Sequence, residues 1–251
     1  MNPRLRAASL ALFVAAIVLA AGFAPFDPVI SGAAQGLPAS FVGVSAAITD
    51  FGTFTWMIGG SALAVLAGYA VMSLAADPLT VSRARTLFRV AVYFLVSTAA
   101  ASLLVHLAKF LIGRARPELA AEFGAWGLSP LARDVLFQSF PSGHSAAAGA
   151  FFAAMALVLP RYVWLFAAGA LTIGITRVVV GAHYPSDVAA GLALGAWSSL
   201  AAAYVLAARG WLFRLDGKGW PRPKYALLPE SGDGAGDTGD SPGGGAARLD
   251  S

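Results

Sequence analysis

The chain contains no cysteine, which excludes a disulfide scaffold, thiolate metal sites and a cysteine nucleophile, and leaves the redox compartment open. Charge is scarce as well. Asp, Glu, Lys and Arg make up 12% of the 251 residues, against roughly 25% in soluble domains. Too few charges remain to cover a water-facing surface, so an ordinary soluble enzyme is excluded. With 58% hydrophobic residues and a mean hydropathy of +0.71, the chain is not disordered over its whole length. No internal repeat is present. The net charge of +4 would suit nucleic acid in a soluble protein; here the placement of the charges matters more, and no nucleic-acid partner is expected.

Long apolar runs fill the space that charge vacates. A bilayer core about 30 Å thick needs roughly 20 apolar residues per helix. Stretches free of Asp, Glu, Lys and Arg cover residues 7–24, 51–76, 90–108 and 188–208. Two shorter ones cover 145–160 and 162–176; the first lengthens backward through 141–144, the second forward to about 182. This predicts six transmembrane helices. The first resembles a signal peptide in its basic start at Arg4 and Arg6, but its run is long for one, and Pro25 stands at the would-be cleavage point. With the N-terminus inside, twelve of the seventeen basic residues fall on inner segments, which predicts both termini in the cytoplasm.

The expected fold is therefore all-α: an integral membrane bundle of six transmembrane helices forming one domain over residues 1–210. An interfacial segment rich in aromatic and basic residues follows over 211–228, and a glycine-rich acidic tail over 229–251 is expected to be disordered. Residues 25–50 read as an outer loop with one surface helix. Residues 118–140 read as an interfacial anchor, a short amphipathic helix, or as a cap over a site.

Five basic residues break the inside rule: Lys109, Arg114, Arg116, Arg133 and Arg177. Ionisable residues at helix ends in a membrane protein are costly and usually functional. Three short blocks stand out, each at an outer helix end. The first is Lys109-Phe-Leu-Ile-Gly-Arg-Ala-Arg116-Pro117. The second is Pro141-Ser142-Gly143-His144. The third is Arg177-Val-Val-Val-Gly-Ala-His183-Tyr-Pro-Ser-Asp187. Lys109, Arg116 and Arg177 can hold a phosphate dianion, the arginines through paired hydrogen bonds. Ser142 and Gly143 open a helix, where free N–H groups favour anions. Asp187 lies one helical turn after His183 and can accept its Nδ1 proton, leaving Nε2 free to attack. His144 can protonate a departing oxygen. Arg114 touches either the phosphate or lipid head groups, His106 makes a hydrogen bond to a neighbouring helix, and Glu118, Glu122, Arg133 and Asp134 form a solvated loop surface.

In order and spacing these blocks resemble the signature of the type-2 phosphatidic acid phosphatase family. Lys109 with Arg116-Pro117, residues 141–144, and Arg177 with His183 and Asp187 all match; Thr176 stands where the family usually has serine. The resemblance implies a metal-independent phosphohydrolase with no cofactor. It makes His183 the nucleophile that becomes phosphohistidine, Asp187 its orienting partner and His144 the general acid and then base. Lys109, Arg116, Ser142, Gly143 and Arg177 then hold the phosphoryl oxygens. It further implies a membrane lipid phosphate as substrate; the charge asymmetry puts the site on the periplasmic or exterior face, and the compact, alanine-rich chain points to a bacterial cell membrane. Undecaprenyl diphosphate is the first candidate, beside phosphatidylglycerophosphate, phosphatidic acid and lipid A phosphates. A phosphotransferase using the same residues and a non-catalytic lipid-phosphate binder or transporter stay open. The oligomeric state is not readable from the sequence.

Overall fold

The computed structural model describes residues 10, 14, 17, 18 and 20–224. The expected disordered tail over 229–251 lies outside the described residues, as does most of the first expected span; Leu10, Val14, Ile17, Val18 and residues 20–23 are helical. The fold is helical. Two helices, α1 (Asp27–Gln35) and α2 (Ala39–Thr49), lead into α3 (Phe54–Leu74) and α4 (Pro78–Ile112). After a loop come α5 (Gly143–Val158), α6 (Val163–Val179) and α7 (Pro185–Ala208). Residues 25–50 thus hold two helices rather than a loop with one.

Among the described residues, four helical stretches are long and apolar enough to cross a membrane: Ala39–Leu74, Pro78–Ile112, Pro160–Val179 and Pro185–Ala208. Helix α5 is apolar but has only 16 residues, about 24 Å of rise. Pro141 and Ser142 stay outside it, because Ser142 serves as its cap. Helix α4 is far longer than its apolar window, at 35 residues. Asp77 starts it by accepting from the N–H groups of Leu79 and Thr80, with Pro78 in first position. Gly113 ends it in the left-handed region at φ 63°. Hydropathy sees only the uncharged part of such a helix.

Large apolar side chains face outward, among them Leu74 at 85% and Trp164 at 83% exposure. Only lipid can cover so wide an apolar surface, and the chain is an integral membrane protein. The centre is built from small residues. Ala146, Ala147, Ala148 and Ala150 of α5 are fully buried, and Ala146 and Ala150 meet Gly195 of α7. A Cβ on Gly195 would lie 2.0 Å from the Ala146 carbonyl oxygen, and one on Gly149 2.3 Å from that of Leu192. Such close backbone approach is how membrane helices gain packing energy where water supplies no drive. Gly195→Ala is expected to lower the melting temperature in detergent by on the order of 5 °C, from an overpacking cost of about 1–3 kcal/mol. Gly59→Ala, where a Cβ meets nothing within 4 Å, is the control expected to leave it unchanged.

The segment after α7 departs from an all-helical fold. Phe213–Leu215 and Pro221–Pro223 pair antiparallel as β1 and β2. Phe213 is fully buried, its ring 4.9 Å from that of Tyr93. This hairpin is anchored in the core and only partly interfacial, and it lies at the opposite end of the bundle from the three blocks.

Candidate active site

The first block ends α4 and turns back along the loop that follows. Gly113 makes the turn, and any side chain there would strike the Ser129 carbonyl at 1.7 Å. The backbone then pairs with the loop. Ala115 N donates to Gly127 O at 2.8 Å, and Arg116 N to Leu136 O at 2.8 Å. The cations of the block are held by loop carbonyls: Lys109 Nζ donates to Gln138 O, and Arg116 Nε to Val135 O at 3.0 Å. Residues 118–140 form no amphipathic helix. They contain single helical turns at Pro117–Leu119, Ala120–Phe123 and Val135–Phe137. The loop's carbonyls fix the basic residues, and Phe123, Trp126 and Leu128 are exposed on its outside.

The second block opens α5. Ser142 Oγ accepts from Ser145 N at 3.3 Å and Ser145 Oγ at 2.9 Å, and Ser142 N donates to Asp187 O at 3.0 Å. Its hydroxyl is therefore engaged as a cap. The N–H groups of Gly143 and His144, in the first turn, lie beyond the reach of any helical acceptor.

The third block joins α6 to α7. Arg177, in the last turn of α6, is buried; it donates from Nη1 to Thr49 Oγ1 at 3.2 Å, while its Nε is buried with no partner among the described residues. A buried guanidinium N–H without an acceptor marks a place for an anion. Thr176, at the position where the signature departs, turns its hydroxyl back to Ile173 O at 2.7 Å. His183 is 2% exposed; its Nδ1 lies 3.6 Å from Asp187 Oδ2 and 3.5 Å from Ser139 Oγ. Pro185 starts α7, and Asp187 in its first turn accepts from Tyr184 N at 2.9 Å and Ser139 Oγ at 2.6 Å.

Lys109, Arg116, Gly143, His144, Arg177 and His183 meet around one cavity of about 440 Å³. Ser142 and Asp187 lie directly behind it. A larger groove of about 760 Å³ between α1, α6 and α7 is lined by apolar side chains and offers no cation to a phosphate. Burial pushes the His183 imidazole down from its ordinary 6.5 to about 4; Asp187 pulls the other way, and Lys109 and Arg177 add to the depression. The neutral ring prevails above that value and the imidazolium below it. With Nδ1 turned to Asp187, the lone pair of Nε2 is left for the cavity. Histidine-labelled protein in micelles is expected to show His183 neutral down to about pH 5 by nitrogen chemical shift; titration near 6.5 would contradict the buried setting.

Two sequence expectations change here. Arg114 touches neither cavity nor lipid head groups: it is 2% exposed and paired to Asp27 at 2.8 Å and Asp187 at 2.6 Å. His106 lines the cavity, but its Nδ1 bonds Ser102 O at 2.7 Å within its own helix rather than a neighbour. Two residues were not anticipated. Asp27 is fully buried under the site, and Ser139 bridges Asp187 and His183. The signal for Asp27 was weak: it is one of two carboxylates in a segment without Lys or Arg, and Arg114 is an outer arginine that no motif required. Ser139 carried none. Glu118, Glu122, Arg133 and Asp134 are exposed, as a solvated loop surface requires.

Comparison with known proteins agrees with the three blocks. The model of the PAP2 superfamily matches residues 90–211. A lipid A 1-phosphatase of Rhizobium etli is 40% identical over 219 residues, 87% of this chain and 93% of that protein. An undecaprenyl-diphosphatase of Sulfolobus acidocaldarius is 29% identical over 112 residues, 44% of this chain and 52% of that protein. A crystal structure of a transmembrane PAP2-type phosphatidylglycerolphosphate phosphatase from Bacillus subtilis aligns with a TM-score of 0.49 at 22% identity, over 77% of this chain and 93% of that one. At 40% identity over nearly the whole of a relative, the chain belongs to the PAP2 superfamily and is a phosphatase of that superfamily.

Proposed function

We propose that the protein removes a phosphate from a membrane lipid without a metal, through a phosphohistidine on His183. One observation carries this reading: Lys109, Arg116, His144, Arg177 and His183, from separate segments, border the same cavity, where the buried Arg177 Nε lacks a partner. The phosphoryl oxygens lie among Lys109, Arg116, Arg177 and the free N–H groups at Gly143 and His144. Ser142 shapes that helix end from behind. Nε2 of His183 attacks phosphorus as the bond to the lipid oxygen breaks. His144 gives that oxygen its proton. His144 then takes a proton from water, the hydroxide attacks the phosphohistidine, and inorganic phosphate leaves with His183 restored. Asp187 holds Nδ1–H and the positive charge that grows on the ring. Phosphoryl transfer depends mostly on positioning and charge stabilisation, which suits a site so rich in donors.

The topology that goes with this reading has six spans and both termini in the cytoplasm. Basic residues away from the site, such as Arg83, Arg85, Arg89, Arg161 and Arg209, then face inward, and the cavity opens at the outer surface. Within the described residues, the chain up to 210 forms the catalytic bundle and 211–224 a basic hairpin segment at the inner surface. The membrane is that of a bacterial cell, with the site toward the periplasm or exterior. The reading needs no cofactor, because His183, Asp187, His144 and the cations of the cavity fill every role in it.

The substrate we favour is lipid A 1-phosphate. The support is the relative of that name, matched along 93% of its length, against 52% for the undecaprenyl-diphosphatase. The test is phosphate release by the purified protein from lipid A, undecaprenyl diphosphate, phosphatidylglycerophosphate and phosphatidic acid, with EDTA present. Release from the 1-position of lipid A at least about tenfold faster than from the others is expected, a margin of about 1.4 kcal/mol in the transition state. Preference for undecaprenyl diphosphate would move the substrate and keep the chemistry. Loss of release in EDTA would overturn the chemistry.

A further inference from the structure

We infer that Asp27 and Arg114 are positioning residues for the reaction: a buried chain of charge from α1 to the nucleophile that keeps Asp187 both fixed and negative toward His183. Asp27 lies outside residues 90–211, where the superfamily model matches, and none of the three blocks contains it. The inference rests on His183 being the nucleophile.

Arg114 Nη1 donates to Asp187 Oδ1 at 2.6 Å and to Ser186 Oγ at 2.8 Å, and Nη2 donates to Asp27 Oδ2 at 2.8 Å. Its Nε and Nη2 also bond Ala125 O at 3.0 and 2.8 Å. The guanidinium is clamped between rings, 4.4 Å from the centre of Trp126 and 4.3 Å from that of Tyr184. Asp27 is held in turn by Ser186, whose N–H donates to Oδ1 at 2.9 Å and whose hydroxyl donates to Oδ2. The Arg114 and Asp27 side chains are 3% and 0% exposed.

The charges explain why both residues are needed. Arg114 fixes the Oδ1 edge of Asp187 and so aims Oδ2 at His183 Nδ1. A lone arginine would also cancel the charge of Asp187, which is what must steady the imidazole as it turns cationic. Asp27 offsets Arg114, so the three groups together keep one negative charge beside His183. Burying charge is costly and brings no stability by default. An apolar contact would anchor α1 as well; a charge chain ending on Asp187 serves the site.

The test uses the full protein in detergent with a lipid phosphate substrate. Asp27→Asn keeps the shape and removes the charge. The expected result is a kcat about 10–100-fold lower, with KM and inhibition by inorganic phosphate within about twofold of the unmodified protein, because its cations are intact. Asp27→Glu restores the charge and is expected to keep more activity than Asp27→Asn, even where both melt at the same temperature. Activity that follows melting temperature instead of charge, or an unchanged kcat in Asp27→Asn, overturns the inference. Should Asp27→Asn fail to fold, Ser186→Ala removes only the hydroxyl shared by Asp27 and Arg114, and a kcat about fivefold lower at constant KM is expected; an unchanged kcat overturns it. His183→Ala runs beside these variants. If it retains turnover, the reading of the site has failed. If it is inactive while Asp27→Asn is normal, the inference alone has failed.

Discussion

Replacing His183 with alanine is expected to reduce phosphate release by at least about 10⁴-fold, because no second nucleophile stands in its place. The ring is 2% exposed, and its Nδ1 faces Asp187 and Ser139 while the cavity lies on its other side. Lys109 and Arg177 are carried by α4 and α6, so phosphate binding is expected to survive the change. The variant should therefore bind inorganic phosphate and melt near the unmodified protein while failing to turn over. Kinetics on lipid substrate, phosphate titration and a melting curve check the three parts. Turnover within about tenfold of the unmodified enzyme would mean that water attacks directly and that His183 is not covalent.

The second large effect concerns folding. Arg114→Leu leaves two carboxylates, Asp27 and Asp187, buried with their shared cation gone. Removing one partner of a buried ion pair costs about 3–5 kcal/mol, which in a protein of this size lowers the melting temperature by about 6–20 °C. Leucine fills the slot between Trp126 and Tyr184 but cannot bond Ala125 O or Ser186 Oγ. Arg116→Leu is the comparison. Arg116 is half-buried at the cavity and bonds a single carbonyl, Val135 O. It is expected to lose activity with little change in melting. A thermal shift of Arg114→Leu no larger than that of Arg116→Leu would show that the buried chain contributes nothing to the fold.

These two arginines also show what was legible in the sequence. Arg116 could be assigned to the site because Lys109 and Arg116-Pro117 resemble the first block of the family signature, a local pattern. Arg114, two residues earlier, could not. Its role depends on Asp27, 87 residues away, and contacts so distant leave no periodic trace. The same holds for Ser139, whose hydroxyl meets Asp187 across 48 residues. Helix existence was readable from apolar runs, but the length of α4 was not. Its first turns carry Arg83, Arg85 and Arg89, and only the cap at Asp77 marks its start. Residues 25–50 were misread because glycine and proline are scattered among their apolar residues, while Pro28 and Pro38 lie at or beside helix starts, where proline is tolerated. The hairpin over 213–223 was hidden because strands of three residues show no alternation worth reading.

The measurement that bears most directly on the account is the site of the covalent phosphate. The protein is mixed with lipid substrate in EDTA, quenched in alkali within milliseconds, where phosphohistidine survives, digested, and mapped by mass spectrometry. The account predicts phosphate on Nε2 of His183, lost on acid treatment and absent from His183→Ala. Phosphate on any other residue, or steady turnover with none on His183, would contradict it.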